Sequence, residues 1–205
     1  METKMNWTVE SLRAFEQEIA EIYNSGLIRA PVHLSGGNEQ QLIEYFADHK
    51  IGPQDWVCTT WRSHYHCLLK GVPPKKLKAD IIAGKSITLT YPEQRVISSA
   101  IVGGIIPIGL GIAKSIKLNN GTNRVFVFVG DMTSLTGIFY ECVQYASNFK
   151  LPIHFLVENN GLSVCTNTEE AWGLTDYIDD SMYKVEDYSY KLTWPHAGAG
   201  IRVQF

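Results

Sequence analysis

The sequence lacks the features that mark membrane-spanning, secreted or nucleic-acid-binding proteins. Its longest apolar stretch, residues 101–116, is interrupted by glycine, proline and lysine and is too short to cross a bilayer. The first eight residues contain no apolar segment of the signal-peptide type, so we expect a cytoplasmic protein that does not enter a membrane. A net charge of −3 gives no basic excess with which to bind nucleic acid.

The cysteines also lack a recognisable pattern. Cys58, Cys67, Cys142 and Cys165 show no C-x-x-C spacing, which argues against a zinc site and against a disulfide framework. We therefore expect four buried, reduced thiols, as is usual in the cytoplasm. A glycine-rich segment at 103–111 lacks a preceding strand, so it predicts a closely packed helix start rather than a nucleotide-binding loop.

Two apolar runs in the middle of the chain predict the core of the fold. Residues 124–129 and 152–157 are rich in β-branched and aromatic residues, which is typical of buried strands. Between them, apolar residues recur at helical spacing over 137–150. Strand, helix and strand in this order predict a βαβ unit with parallel strands, and continuous apolar runs indicate helices on both faces. We predict an α/β protein with a doubly wound parallel sheet.

Other elements are predicted on either side of this unit. Amphipathic spacing predicts a helix over 8–25 that ends at Gly26, a second near Asn38, and a third from Pro73-Pro74 to Gly84, with a short strand at 56–60. Beyond Thr166, acidic residues alternate irregularly with tyrosines. We divide the chain into an α/β domain of residues 1–168 and an irregular C-terminal arm of residues 169–205. This arm either lies on a partner or packs locally.

Polar residues follow both central strands. The first strand is followed by Gly-Asp-Met-Thr at 130–133, and the second by Glu-Asn-Asn-Gly at 158–161. Because parallel strands end at the same edge, both segments border the crevice where α/β sheets bind ligands. An aspartate and an asparagine there suit Mg²⁺, which also takes phosphate oxygens and water, and the helix starting near Gly137 would direct its amides toward an anion. The pattern predicts a metal-bridged phosphate or diphosphate site.

A purely structural interpretation of these segments also exists. Gly-Asp after a strand and Asn-Asn-Gly are both common turn sequences, so either one alone would need no functional explanation. Their joint occurrence at matching strand ends, with a helix between them, favours the functional interpretation.

These motifs resemble those of a known family. Gly130-Asp131-Met132 and Asn159-Asn160, with 26 residues between them, resemble the GDG…NN signature of thiamine diphosphate (ThDP) enzymes. The sequence from about residue 8 to 168 resembles the alpha subunits of the 2-oxo acid dehydrogenases, the ThDP-dependent first component of those complexes. The stretches HLSGGNE at 33–39, TWRSHYH at 60–66, IVGGIIP at 101–107 and KLP at 150–152 carry the remaining likeness.

The resemblance implies a ThDP-binding fold of the diphosphate-binding type and roles for individual residues. It implies that Mg²⁺ is held by the side chains of Asp131 and Asn160 and by the backbone carbonyl of Leu162. It implies that His64, with His66 as a second candidate, faces the reacting centre as a proton donor or oxyanion partner, although both could simply line a strand end. The remaining implied cofactor contacts are Trp61 and Arg62 on the diphosphate, Val102 against the aminopyrimidine ring, and Gly130 with the amides of Met132 and Thr133.

The resemblance further implies a function that needs two chains. The alpha subunit of such an enzyme acts on a 2-oxo acid, by decarboxylation with transfer of the acyl or aldehyde unit, while a beta subunit supplies the activating glutamate, most often as α₂β₂. This sequence departs from the family at Met132 and Ala100, where glycine is usual, and residues 85–98 lack the Gly-Gly-x-Met-His motif. A transketolase-like or carboligase half-enzyme acting on a ketose in a specialised sugar or secondary-metabolite pathway remains an alternative. So do a non-catalytic partner subunit of this fold and an unrelated phosphate-binding α/β enzyme.

Overall fold

A computed structural model of the chain describes residues 6–173, 185–197 and 204–205. The helices are α1 Val9–Asn24, α2 Glu39–Asp48, α3 His64–Leu69, α4 Pro74–Asp80, α5 Ile105–Leu118, α6 Asp131–Ser134, α7 Gly137–Asn148 and α8 Thr168–Trp172. A π-helical turn, Ile81–Lys85, follows α4. The strands are β1 Trp56–Thr59, β2 Thr90–Tyr91, β3 Val96–Ser98, β4 Val125–Gly130, β5 Ile153–Asn159, β6 Leu162–Ser163, β7 Thr166–Asn167 and β8 Val185–Ser189.

The central sheet has six strands in the order β2-β3-β1-β4-β5-β8. β3, β1, β4, β5 and β8 are parallel, and only β2, at one edge, runs antiparallel to its neighbour β3. β6 and β7 form a separate two-stranded hairpin. The predicted βαβ unit is thus confirmed as β4, α7 and β5.

Both faces of the sheet are covered by helices, as the continuous apolar strands require. Side chains alternate across β4, so Phe126 and Phe128 pack against α1 to α4, whereas Val125, Val127 and Val129 pack against α5 and α7. All five are fully buried. The predicted doubly wound α/β class is confirmed.

The chain reverses its direction of winding between β1 and β4. From β1 the chain passes through α3 and α4 to β3 on one side, and from β4 it passes through α7 to β5 on the other. β1 and β4 are direct neighbours, with Val57 opposite Phe126. Such a switch point opens a crevice at the carboxyl ends of the strands, where α/β sheets bind ligands.

Local signals explain the predicted helix limits. At the start of α1, the Thr8 side chain accepts from the Ser11 amide while the Ser11 hydroxyl accepts from the Thr8 amide, a capping box. Gly26, just past its end, has a φ of 81°. In α5, a Cβ on Gly109 would lie 2.6 Å from Cγ2 of Val127. This close approach confirms that the glycine-rich segment serves packing.

The C-terminal region differs from the prediction of an irregular arm. That prediction is wrong for Val185–Ser189, which form β8 and pair in parallel with β5. The residues after β8 pack on the same chain, since the Tyr190 amide donates to the Asn159 carbonyl at 2.8 Å. Residues 174–184 and 198–203, which hold much of the acidic and tyrosine-rich stretch and the glycine-rich end, lie outside the described residues. The division at residue 168 stays a prediction.

Two smaller predictions have mixed outcomes. All four cysteines are free, as expected, and three of them are buried. Cys165 is exposed, so the prediction of burial is wrong for that residue. Within the described ranges, no helix combines the length and the apolar character needed to span a membrane.

Candidate cofactor site

A pocket lies at the carboxyl ends of β1, β4 and β5, at the switch point of the sheet. The pocket and its mouth enclose about 460 Å³ of space, part of it open to solvent. The residues that line it lie at the ends of β1, β4 and β5 or in the segments just after them. Tyr190, which follows β8, is the exception. The lining residues are Thr60, Trp61, Arg62, Gly130, Asp131, Met132, Thr133, Glu158, Asn160, Leu162, Ser163, Val164 and Tyr190.

Most of the residues predicted from the sequence meet in this pocket. The three predicted metal ligands all line it, and so do the five other predicted diphosphate contacts. Val102, His64 and His66 are not among its lining residues. The residues brought together are Trp61, Arg62, Gly130, Asp131, Met132, Thr133, Asn160 and Leu162.

The two carboxylate oxygens of the buried Asp131 differ in their hydrogen bonding. Asp131 is only 1% exposed, and its Oδ2 accepts a hydrogen bond from the hydroxyl of Thr168. Its Oδ1 is buried and has no hydrogen-bond partner among the described residues. Burial raises the pKa of Asp131, against the opposing effects of Thr168, nearby backbone amides and the charge of Arg62. A bound cation would satisfy this oxygen.

Both asparagines of the motif also shape the turn after β5. Oδ1 of Asn159 accepts from the Gly161 amide at 2.9 Å, and Oδ1 of Asn160 accepts from the Leu162 amide at 2.9 Å. The turn interpretation is therefore correct for the backbone. Nδ2 of Asn160 donates to the Tyr190 hydroxyl at 3.2 Å, which fixes the orientation of the amide, and its oxygen keeps a second lone pair for a ligand.

Arg62 is a half-buried cation without an ion-paired carboxylate in the described part of the chain. Its Nη2 donates to Nδ1 of His196 at 3.0 Å. Burial lowers the pKa of Arg62, while Tyr190, Glu158 and Asp131 act in the opposite direction. A guanidinium in this setting is suited to bind phosphate oxygens.

Trp61 supplies a further unsatisfied group at the same place. Its indole Nε1 is buried and has no acceptor among the described residues. Because the indole nitrogen can only donate, it requires an acceptor such as a phosphate oxygen. Trp61 and Asp131 thus leave one donor and one acceptor without protein partners around a single pocket.

His64 is a core residue of this chain and does not line the pocket. It begins α3 rather than ending a strand, and it is fully buried. Its Nδ1 lies 2.9 Å from a carboxylate oxygen of Glu16, and its Nε2 lies 2.9 Å from the Ser86 hydroxyl. Both ring nitrogens thus have protein partners within the chain, and the role of His64 at the reacting centre stays a prediction.

His66 lies behind the pocket wall rather than in it. It is 1% exposed, with Nε2 3.4 Å from Oε2 of Glu158, an ion-pair distance without hydrogen-bond geometry. Glu158 itself lines the pocket and accepts hydrogen bonds from the Tyr188 hydroxyl and from Nδ2 of Asn38. His66 therefore reaches the pocket only through Glu158.

Val102 and the start of α7 also lie outside the pocket. Val102 is 54% exposed, and its contact with the aminopyrimidine ring stays a prediction. The amides expected from the helix at Gly137 do not line the pocket either. The short helix α6 comes between, and its residues Met132 and Thr133 take that position.

Several residues of this site were missed by sequence reasoning. Tyr190 and His196 lie in the C-terminal region, where no periodic pattern marked them. His33 stacks on His196 with ring centroids 4.3 Å apart and lies 6.0 Å from the ring of Trp61. Burial, together with His196, Arg62 and His64, lowers the pKa of His33 to about 3. His33 lies in one of the family-like stretches, which is the only sequence signal that marked it.

Comparisons with known proteins agree with this geometry. The family model for the dehydrogenase E1 component matches residues 8–184. The pyruvate dehydrogenase E1 component subunit alpha of Rickettsia prowazekii (strain Madrid E) is 31% identical over 80% of this chain and 53% of its own length. The same subunit of Zymomonas mobilis is 31% identical over 92% of this chain and 60% of its own, and the mitochondrial one of Sminthopsis macroura is 29% identical over 82% and 48%.

The chain spans about half the length of the curated relatives that it matches. The matched residues nevertheless include β1, β4 and β5 and the segments after them, which supply all the pocket-lining residues except Tyr190. The chain belongs to the dehydrogenase E1 component family.

Proposed function

We propose that the pocket binds the magnesium–diphosphate part of ThDP. The observation that carries this proposal is that, among the described residues, Asp131 Oδ1 and Trp61 Nε1 have no hydrogen-bond partner and Arg62 has no carboxylate partner, while all three residues line one pocket. An orphan acceptor takes a cation, and an orphan donor beside a guanidinium takes an anion. The E1 component family generally uses ThDP, whose diphosphate is such an anion.

The charges of the pocket explain why a metal ion is part of the proposal. Asp131 and Glu158 contribute two carboxylates, whereas Arg62 contributes one guanidinium. A diphosphate alone would therefore enter a pocket that already carries excess negative charge. Mg²⁺ is usually bound through one or two protein carboxylates and completes its shell with other oxygens, including those of phosphate and water, so it balances both sets of charges. Asp131, Asn160 and the Leu162 carbonyl are the proposed protein ligands.

At the level of the whole enzyme, we propose an alpha-type subunit of a ThDP-dependent 2-oxo acid dehydrogenase or decarboxylase. When bound, ThDP supplies the carbanion-stabilising chemistry for decarboxylation of a 2-oxo acid. Arg62 and Trp61 orient the diphosphate. His196 accepts from Arg62 at Nδ1 and therefore carries its proton at Nε2. Burial and the charge of Arg62 lower the pKa of His196, which favours this neutral form.

The proposed enzyme also needs a second chain. Alpha subunits of this family usually pair with a beta subunit, and the pocket accounts for only the diphosphate half of the cofactor. Val102, proposed to contact the aminopyrimidine ring, lies exposed outside the pocket. We therefore propose a beta-type partner that supplies the activating glutamate, in an α₂β₂ assembly.

Calorimetric titration of ThDP tests the cofactor assignment. The full chain, alone and co-purified with a beta-type subunit, is titrated with and without Mg²⁺, and Asp131→Ala and Asn160→Ala are compared with wild type. We expect Mg²⁺-dependent binding that each substitution abolishes. Unchanged affinity in the variants would remove both residues from the site, and an absence of binding in every form would favour a non-catalytic partner subunit.

Turnover measurements test the shared site separately. Decarboxylation of a 2-oxo acid is expected only when the beta-type subunit is present. Full turnover by this chain alone would contradict the two-chain model while leaving the cofactor assignment intact.

A further inference from the structure

Two histidines and a glutamate meet away from the cofactor pocket, toward the amino end of β5. His49 follows the C-terminus of α2, His154 lies near the start of β5, and Glu186 lies in β8. Along β5, His154 precedes Asn159 by five residues, which corresponds to roughly 16 Å of strand rise. The cluster and the pocket are therefore separate sites.

The alternation of the strands brings these side chains to one face. His154 pairs in register with Phe126, and Glu186 pairs with Leu156 two positions further along β5. Phe126 and Leu156 both belong to the core beneath α1 to α4, so His154 and Glu186 face the same side as α2. His49, at the end of α2, reaches them from above.

The distances in the cluster are close to those of a metal site. Nε2 of His49 lies 2.9 Å from Oε2 of Glu186, and Nδ1 of His154 lies 3.8 Å from Oε1 of the same carboxylate. The potential ligand atoms all lie within 4.8 Å of one another. Tetrahedral zinc, with bonds of about 2.0–2.1 Å, holds its ligand atoms about 3.3–3.4 Å apart, so small side-chain rotations complete the geometry.

Neighbouring aromatic groups already orient the three side chains. The ring of Phe126 stacks on His154 at 4.9 Å with an 11° interplanar angle and meets His49 edge-on at 5.8 Å. The Tyr45 hydroxyl donates to Oε1 of Glu186 at 3.4 Å. Groups behind the ligands fix their orientation in known metal sites in the same manner.

Charge and access also suit a cation. All three residues are half-buried, so solvent can deliver an ion to them. The C-terminal end of α2 carries partial negative charge that favours a cation. Arg124, whose guanidinium lies 4.9 Å from the centroid of the Phe126 ring, is ion-paired with Asp55 at 2.8 Å, so its charge is largely balanced.

We propose that His49, His154 and Glu186 bind Zn²⁺, with water as the fourth ligand. Two imidazoles and one carboxylate form a donor set that binds Zn²⁺ in preference to Mg²⁺ or Ca²⁺. The ion fastens the edge strand β8 to β5 and α2. Since Tyr190 follows β8 and lines the pocket, zinc binding at β8 also stabilises the position of Tyr190 in the pocket.

Zinc titration of the full 205-residue chain, freed of any affinity tag and stripped with a chelator, tests this site. We expect one Zn²⁺ per chain and a thermal unfolding temperature that rises on binding. His49→Gln and Glu186→Gln should each weaken binding at least tenfold and remove the thermal shift. Asp48→Asn, which removes an exposed carboxylate beside His49, is the matched control and should bind as wild type. Asp131→Asn should also leave this binding unchanged, because it alters only the pocket.

Substitution with Co²⁺ identifies the donor atoms. The expected visible spectrum is that of a tetrahedral nitrogen and oxygen site, lost in His49→Gln. A thiolate charge-transfer band would instead assign the ion to a cysteine and overturn the proposal. Equal zinc affinity in wild type and both ligand variants, or no binding to wild type, would overturn it as well. Circular dichroism of each variant confirms that loss of binding is not loss of folding.

Discussion

The Thr168 hydroxyl donates to Oδ2 of Asp131, while Oδ1 of the same carboxylate is buried and has no hydrogen-bond partner in the part of the chain that the structure describes. Thr168 begins α8, directly after the β6–β7 hairpin, and Asp131 begins α6, directly after β4. One oxygen is thus used to hold the carboxylate in place, and the other is kept for a ligand. A buried charge without a partner lowers the stability of the unliganded protein, and this loss of stability can be measured.

Asp131→Asn is expected to stabilise the unliganded chain while abolishing Mg²⁺-dependent ThDP binding. Burial raises the pKa of Asp131 in the folded state, so the stability that its protonated form contributes is lost as pH rises through that folded pKa. Asparagine never takes on the charge. At pH 7 we expect a gain of about 1 kcal/mol, or about 2–4 °C in Tm. Differential scanning fluorimetry with and without Mg²⁺ and ThDP measures both effects.

Thr168→Val provides the matched comparison for that carboxylate. Valine keeps the shape of threonine but removes the donor to Oδ2, so Asp131 loses its orientation while keeping its charge. We expect ThDP affinity in the presence of Mg²⁺ to fall by about 10–100-fold, the usual effect of losing a group behind a metal ligand. Unchanged affinity would show that Thr168 has no positioning role.

Substitutions of Trp61 can separate the effect of its indole N–H donor from the effect of its apolar ring. Trp61→Phe removes the partnerless indole N–H, so the unliganded chain should be as stable as wild type or more stable. Its ThDP affinity should fall about tenfold or more, the effect of one lost hydrogen bond of about 1.5–3 kcal/mol to a charged acceptor. Trp61→Tyr, which restores a donor, should recover most of the affinity in the same calorimetric titration. Equal affinities for all three proteins would contradict the donor role.

The predictable part of this fold is the part buried on both sides. β4 and β5 lie inside the sheet, and their sequences are therefore largely apolar, with His154 as a polar residue near the start of β5. This pattern makes the βαβ unit and its carboxyl edge recognisable. β8 is an edge strand with the sequence VEDYS, which contains no apolar run. Its structure depends on pairing with β5, and that pairing is not encoded in a local pattern. Tyr190 and His196 were missed for the same reason.

The position of His64 could not be predicted from the sequence for a different physical reason. The family resemblance implied a role for His64 at the reacting centre but gave no information on its packing. α3 begins at His64, however, and turns the side chain into the core, where Glu16 and Ser86 satisfy both ring nitrogens. These partners lie 48 and 22 residues away in the sequence, so the burial of His64 is a tertiary property.

His33 should make the stability of the chain sensitive to acid. Its pKa is about 3 in the folded state, because it is buried beside His196 and Arg62, against an ordinary value near 6.5. A depressed folded pKa means that stability is fully present above pH 6.5 and is lost as pH falls toward 3. The loss per pH unit is at most about 1.4 kcal/mol for one group. Urea unfolding between pH 6.5 and 4.5 should show a shallower decline in His33→Phe than in wild type, and equal slopes would contradict the assignment.

Two glycines of α5 provide a matched test of the packing behind the site. A Cβ on Gly109 would lie 2.6 Å from Cγ2 of Val127 in β4, whereas a Cβ on Gly111 would meet no atom within 4 Å. Gly109→Ala should therefore destabilise the chain by about 1–3 kcal/mol through overpacking. Gly111→Ala should stabilise it by about 0.5–1 kcal/mol, because alanine is the better helix former. Urea unfolding of both variants measures the difference, and effects of the same sign would show that α5 does not pack on β4 at the distance described.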